Sequence, residues 1–329
     1  MVATKGDVRV LIHTPADLAV EHLEWAKRNR TSPGVPWGIR GIDAKVIPMR
    51  AGDLVAMIGR PGHGKSTIMA YFARAESKRI AQRGTQDKEC VVYVTWESSA
   101  EEIENFFAAD DKFSASDIAW GKADPEYLTA KAARRAAMPI WVIGHGIGRA
   151  KPGTPRMTVD AVYQAIESME QDYGVKPSLV LLDYIQIIPV ERAAERTEQV
   201  SEAVIRAKEL AQRIGVPIVA GVQARRDVDL YKTPIPEKSD AQWSSGIEQA
   251  VDKLFGLWRP SLSPNFEEGS LIEIEGVPSS VVVTQNLMIV RLLKQRFEDG
   301  RATWALHFAP QYLRLCELEL QNTEQTGGN

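Results

Sequence analysis

The sequence predicts an α/β fold in which helices cover both faces of a mainly parallel sheet, with an antiparallel extension on the C-terminal side. Three observations carry that expectation. From Ala51 onward, short apolar runs alternate with helical stretches, the pattern of repeated strand–helix units. A glycine-rich loop joins the first of these runs to the first of these helices, and the fourth run ends in a single carboxylate, Asp183. Open parallel sheets gather ligands at their carboxyl edge, where such groups would sit.

Residues 1–40 read as an N-terminal arm. Within it, Pro15 to Arg28 sets Leu18, Val20, Leu23 and Trp25 among charges, which predicts an amphipathic helix of about four turns. Thr31–Gly41, with Ser32-Pro33-Gly34 and Pro36, reads as a loop or linker. Strands are expected at Leu54–Ile58, Cys90–Thr95, Ile140–Ile143, Leu179–Leu182 and Val216–Val222. Helices are expected between them at Ser66–Arg83, Glu101–Ala108, Val159–Tyr173 and Glu195–Ile214. In the last, Val200, Ala203, Ala207, Leu210 and Ile214 keep a 3–4 residue spacing and form one apolar stripe. Leu271–Val290 and Arg301–Leu315 read as antiparallel strands and turns that extend the sheet. Residues 41–320 thus form one domain, followed by a polar, disordered tail at 321–329.

Of the 329 residues, 44% are hydrophobic and 25% charged, ordinary values for a globular chain with a full core. The 40 basic and 43 acidic side chains leave a net charge of −3. No basic block is present, which argues against a DNA-coating role and leaves any nucleic-acid contact to a few local cations. Cys90 and Cys316 stand far apart at no metal or redox spacing, and the five histidines form no ligand pair. The most apolar run, Val180 to Val190, is interrupted by Asp183 and too short to span a bilayer. With no signal-peptide layout at the N-terminus, a cytoplasmic protein without a membrane partner is expected.

The strongest motif is Gly59-Arg60-Pro61-Gly62-His63-Gly64-Lys65-Ser66, which fits G-x-x-x-x-G-K-[ST] without a mismatch and leads into a helix at Thr67. Glycines in such a loop let backbone N–H groups converge on phosphate oxygens, while the lysine reaches the β- and γ-phosphates and the hydroxyl holds Mg²⁺. The following helix adds its positive dipole end. ATP and Mg²⁺ are therefore the expected ligands. His63 is read as presenting its backbone, with a catalytic role the weaker alternative.

A phosphate loop also needs a metal-side carboxylate, and Asp183 at the end of Leu179–Leu182 supplies one. Hydrolysis further requires a group that orients or deprotonates water. Glu97, just past Cys90–Thr95, is the leading candidate; Glu101 and Glu102 compete but suit the first turn of the next helix. Gln223 ends Val216–Val222 at the same edge, where an amide can sense the γ-phosphate.

Taken together these residues resemble the bacterial DnaB-type hexameric replicative helicases of the RecA-like superfamily, over about Pro15 to Leu315. Arg60-Pro61 matches the family's opening of this loop, Asp183-Tyr184-Ile185-Gln186 its aspartate-tyrosine-leucine-glutamine, and Ser244–Gln249 the region beside its DNA-binding loop. Glu97 falls where the family has its catalytic glutamate. Lys294-Gln295-Arg296 resembles the element that reaches a neighbouring subunit's ATP site. The resemblance implies a RecA-like core, an arginine finger at Arg296 with Lys294 as companion, and a hexameric ring on single-stranded DNA served by a loader or replication partner. A solvated strand end is the competing reading of Lys294 and Arg296.

Two departures qualify that picture. The family's N-terminal collar, which binds primase, has no room in the roughly 40 residues before the core; the Pro15–Arg28 helix instead resembles the family's linker helix. The DNA loop reads Gln242-Trp243 where arginine-glutamate is common. DNA contact then falls to Arg225, Arg226, Gln242, Ser245 and Trp243, the last able to stack on a base or to pack against a strand. The leading expectation is an ATP-driven translocase that unwinds duplex. The alternative is a RecA-fold ATPase that recruits partners and does not unwind.

Overall fold

A computed structural model of the chain describes residues 12–148, 153–190, 195–241, 246–297 and 300–318. They divide into two units, with the boundary between Gly34 and Val35. The first holds helix α1 (Pro15–Thr31). Thr14 caps it by accepting the Asp17 N–H, and Asp17 returns a bond to the Thr14 backbone, the reciprocal pairing that fixes a helix start.

The second unit contains α2 (Arg40–Asp43), β1 (Leu54–Gly59), α3 (Lys65–Arg83), β2 (Glu89–Thr95), α4 (Ala100–Ala108), α5 (Ala115–Ala119), α6 (Pro125–Ala136), β3 (Ile140–Ile143), α7 (Val159–Tyr173), β4 (Lys176–Asp183), α8 (Arg196–Ile214), β5 (Ile218–Gln223), α9 (Gly246–Ala250), β6 (Lys253–Trp258), β7 (Leu271–Ile272), β8 (Val281–Val282), β9 (Leu287–Gln295), β10 (Ala302–Ala309) and β11 (Arg314–Glu317). Nine strands form one sheet in the order β11-β10-β9-β6-β1-β5-β4-β2-β3. The six from β6 to β3 are parallel, and β9, β10 and β11 continue antiparallel.

Alternation along β1 sorts the core into two layers, because successive strand side chains point to opposite faces. Leu54, Ala56 and Ile58 pack with Val162 and Ile166 of α7 and Val200, Ala203 and Ala207 of α8. Val55 and Met57 pack with Ile68, Phe72 and Ile80 of α3 and Ile103 and Phe107 of α4. The expected strands and helices up to β5 all form.

Three expectations need amendment. Residues 31–41 contribute Val35, Trp37 and Ile39 to the second core layer; Trp37 is fully buried against Phe72 and Phe255. Strand β6, which pairs directly with β1, was not expected. Only β9 to β11 extend the main sheet, whereas β7 and β8 pair with each other in a separate two-stranded sheet. Among the described residues, no helix is long and apolar enough to cross a membrane.

Candidate nucleotide site

Four neighbouring strands, β1, β5, β4 and β2, end at one edge of the sheet. β1 ends at Gly59 beside Gln223 of β5, and Thr95 of β2 pairs with Asp183 of β4. Bonds beyond the strands tighten this edge: Ala224 N–H donates to Gly59 O at 3.1 Å and Trp96 N–H to Asp183 O at 3.1 Å.

The loop from Gly59 to Ser66 turns at Gly62 and Gly64, with φ of +79° and +88°. Gly64 is required twice over. Its backbone occupies the left-handed region, and a Cβ there would lie 2.6 Å from the Phe308 ring. The Lys65 ammonium donates to Gly59 O at 2.9 Å and Arg60 O at 3.1 Å. Burial lowers its pKa to about 8, against the pull of Asp183 and Glu97. Thr67 follows, buried in the first turn of α3. Pro61 is exposed at the loop's crest.

Two side chains within the motif brace it. Arg60 pairs with Asp229 at 3.0 Å and donates to Ala224 O at 3.3 Å. His63 is buried and accepts the Arg259 N–H through Nδ1 at 3.1 Å. Burial, reinforced by Lys65, Arg259 and Arg60, lowers its pKa to about 4, so the ring is neutral at pH 7. A neutral acceptor ties the loop to the end of β6.

Asp183 is the group best suited to a metal. Its Oδ2 accepts the Tyr93 hydroxyl at 2.8 Å, while Oδ1 is buried with no hydrogen-bond partner. Such an orphaned carboxylate oxygen is costly unless something else satisfies it. Burial raises its pKa, opposed by the Ser66 and Tyr93 hydroxyls and by Lys65. These donors fit a magnesium ion bound with nucleotide phosphates.

Glu97 is exposed on the turn after β2. That turn is fixed by Thr95 Oγ1, which donates to Ser98 O and accepts the Ser98 N–H, and by the Trp96 indole, which donates to Met157 O at 2.6 Å. The Glu97 charge helps to raise the pKa of Lys65, Tyr93 and Tyr184, so it lies near these groups. Glu102 instead closes a capping box with Ser99 at the start of α4, and Glu101 accepts the Ile147 N–H.

Two contributors escaped sequence reasoning. Gln186, nearly fully buried, bonds both backbone groups of Gln223. Arg259 reaches Gly62 O at 3.4 Å and Gln285 O at 2.8 Å, and lies 5.5 Å from the centre of the Phe308 ring. Gln186 closes the Asp183-Tyr184-Ile185-Gln186 run and so had a local signal; Arg259 follows the unexpected β6 and had none.

The remaining candidates lie elsewhere. Arg225 pairs with the fully buried Asp240 at 2.8 Å, an oxygen that also accepts the Tyr231 hydroxyl. Arg226 is exposed. Gln242, Trp243 and Ser245 fall outside the described residues. Lys294 donates to Glu248 O and Val251 O at the end of α9. Arg296 sits beside Asp252, whose backbone bonds Leu54 at the start of β1. The five steps from Leu54 to Gly59 span roughly 16 Å, so Lys294 and Arg296 occupy the edge opposite their own phosphate loop.

Residues 34–316 match the family model for the DnaB-like helicase C-terminal domain. The replicative DNA helicase DnaB of Leifsonia xyli is 25% identical over 264 residues, 78% of this chain and 54% of the relative. That of Geobacillus stearothermophilus is 26% identical over 279 residues, 83% of this chain and 57% of the relative. The chain therefore spans little more than half the length of these relatives. A solved ATPase domain shares the fold, with a TM-score of 0.70, 20% identity, and coverage of 96% of this chain and all of that one. A DnaB-like replicative helicase, solved in a study of its interactions with primase, has a TM-score of 0.70 at 19% identity, covering 94% of this chain and 68% of that one. With a family match running through both edges of the sheet, the chain belongs to the DnaB-like helicase C-terminal domain family.

Proposed function

We propose that this chain is the ATP-hydrolysing motor of a ring-forming helicase that translocates on single-stranded DNA and unwinds duplex. One observation carries the reading: the loop from Gly59 to Ser66, Asp183 and Gln223 lie at the carboxyl edge of the sheet, while Lys294 and Arg296 stand at the opposite edge. Neither can serve its own chain's nucleotide. A head-to-tail neighbour can present them to the next chain's loop, and repeated contacts of that kind close into a ring when the rotation allows.

ATP bound with Mg²⁺ would supply the transferring phosphoryl group, with Ser66 and Asp183 holding the metal and the 59–67 backbone cradling the phosphates. Lys65 turns from the loop carbonyls to the β- and γ-phosphates. Glu97 orients the attacking water and takes its proton. Arg296 of a neighbour neutralises charge developing on the phosphoryl oxygens, and Gln223 relays the phosphate state to the chain that follows β5. Arg226, exposed just after β5, is the described cation assigned to DNA phosphate.

The test is strand displacement on a forked duplex with ATP, together with subunit mixing. Arg296→Ala and Lys65→Ala should each abolish turnover, and mixing the two should restore part of it. The alternative of a partner-recruiting ATPase gains from the engagement of Arg225 with Asp240. ATP turnover without strand displacement would select it.

A further inference from the structure

We infer that Asp252 is a positioning residue that aims Arg296 at the neighbouring chain's nucleotide; the inference rests on the proposed role of Arg296. Asp252 lies between α9 and β6, and its side chain is only 4% exposed. Oδ2 accepts the Leu54 N–H at 2.8 Å and the Lys208 ammonium at 2.6 Å, and Oδ1 holds Arg296 Nε at 3.0 Å. The Arg296 N–H also donates to Asp252 O at 3.1 Å.

Each part of this arrangement suits aiming. The bond uses Nε, on the stem side of the guanidinium, and Arg296 remains 53% exposed. About half of the side chain is thus left open to solvent, where a second anion can be met. Register contributes as well: Leu254 pairs with Lys294 and Phe255 with Leu292, so β9 carries one extra residue, Leu293. A bulge shifts the phase of a strand and re-aims the side chains beyond it, here bringing Arg296 opposite Asp252. The carboxylate itself cannot wander, because Leu54 belongs to a fully buried strand. A free arginine samples many rotamers, and holding one geometry in advance is what accelerates a positioned group.

Asp252 also touches β1, which ends at its own chain's phosphate loop, so a rival explanation would have it act on that loop. Subunit mixing separates the two. Asp252→Glu keeps the charge that Lys208 and Leu54 require but lengthens the arm, and misplacement by about 1 Å can cost on the order of 10²-fold in rate. Alone, it should lower kcat by about 10–100-fold and leave KM for ATP within about threefold. Mixed one to one with Lys65→Ala, about a quarter of the head-to-tail interfaces join an intact loop to an intact Asp252–Arg296 pair. Turnover should then rise well above the sum of the separate variants. Asp252→Asn, closer in shape, should behave the same way and guards against a misfolded glutamate variant. Wild-type kcat in either folded variant, a raised kcat, or no gain on mixing would overturn the role of Asp252. If the Arg296→Ala and Lys65→Ala mixture recovers while the Asp252 mixtures do not, the arginine reading stands without it. If neither recovers, the arginine reading itself falls.

Discussion

The side-chain amide of Gln186 grips the backbone of Gln223 from both sides, donating to its carbonyl at 3.1 Å and accepting its N–H at 3.1 Å. A primary amide is the side chain that offers a donor and an acceptor in one plane. The grip locks the turn after β4 to the end of β5, so Asp183 and Gln223 keep a fixed separation. Gln186→Leu, of similar size, should cost about 1–3 kcal/mol for each backbone group left unpaired. Denaturant midpoints measure the loss. Full wild-type stability would show that the grip is dispensable.

Lys65→Ala and Glu97→Gln should fail differently. Lys65 bonds only loop carbonyls at the rim of the core, so its alanine variant should stay folded and lose nucleotide binding with turnover. Glu97→Gln should bind nucleotide normally and hydrolyse it about 10²–10⁴-fold more slowly, the scale of a positioned acid–base group. Fluorescent-nucleotide titration beside a phosphate-release assay resolves the two. Lost binding in the Glu97 variant would recast it as structural.

His63 should make the protein acid-sensitive. Its folded pKa is about 4, against an ordinary 6.5. Between those values the unfolded chain takes up a proton that the folded chain refuses. Stability is therefore complete above pH 6.5, falls as pH drops through the window, and this contribution is fully lost below 4. By pH 5 the loss should be about 2 kcal/mol. His63→Asn offers an oxygen to the Arg259 N–H and carries no titration. Its midpoint should change less between pH 7 and pH 5, and an equal change in both proteins would remove His63 as the cause.

Arg225 and Arg226 adjoin in sequence and should separate in function. Arg225 balances the buried Asp240, so Arg225→Ala should lower the denaturation midpoint. Arg226→Ala should leave the midpoint alone, weaken single-stranded DNA binding alike for all sequences, and reduce the salt slope by about 1. Filter binding across a salt series reads both quantities. An unchanged slope would move the DNA contact elsewhere.

The sequence carried the strands from β1 to β5 because their apolar runs are continuous and bounded by turns. It hid β6, since Lys253–Trp258 places a lysine, a glycine and a tryptophan in six residues. Lys253 is buried only because it pairs with Asp53, a partner 200 residues away. Trp37 was hidden by its proline-rich surroundings, which read as linker although the ring fills a gap between α3 and β6. At the site, Gly59 to Ser66 and Asp183 could be read from local chemistry. The bracing by Arg259 and Asp252 could not, because each depends on strand order, and strand order is set by contacts across the whole chain.

The two ends of β1 give the proposed motor a signature in its rate law. One end opens into the phosphate loop at Gly59, and the other is bonded to Asp252 and through it to Arg296. No chain alone then holds both halves of a working centre. Below the concentration at which chains associate, specific activity should fall with dilution, so that total velocity rises faster than in proportion to protein. A dilution series at saturating ATP would reveal that higher kinetic order, and an inert crowding agent, by promoting association, should lower the concentration at which it fades.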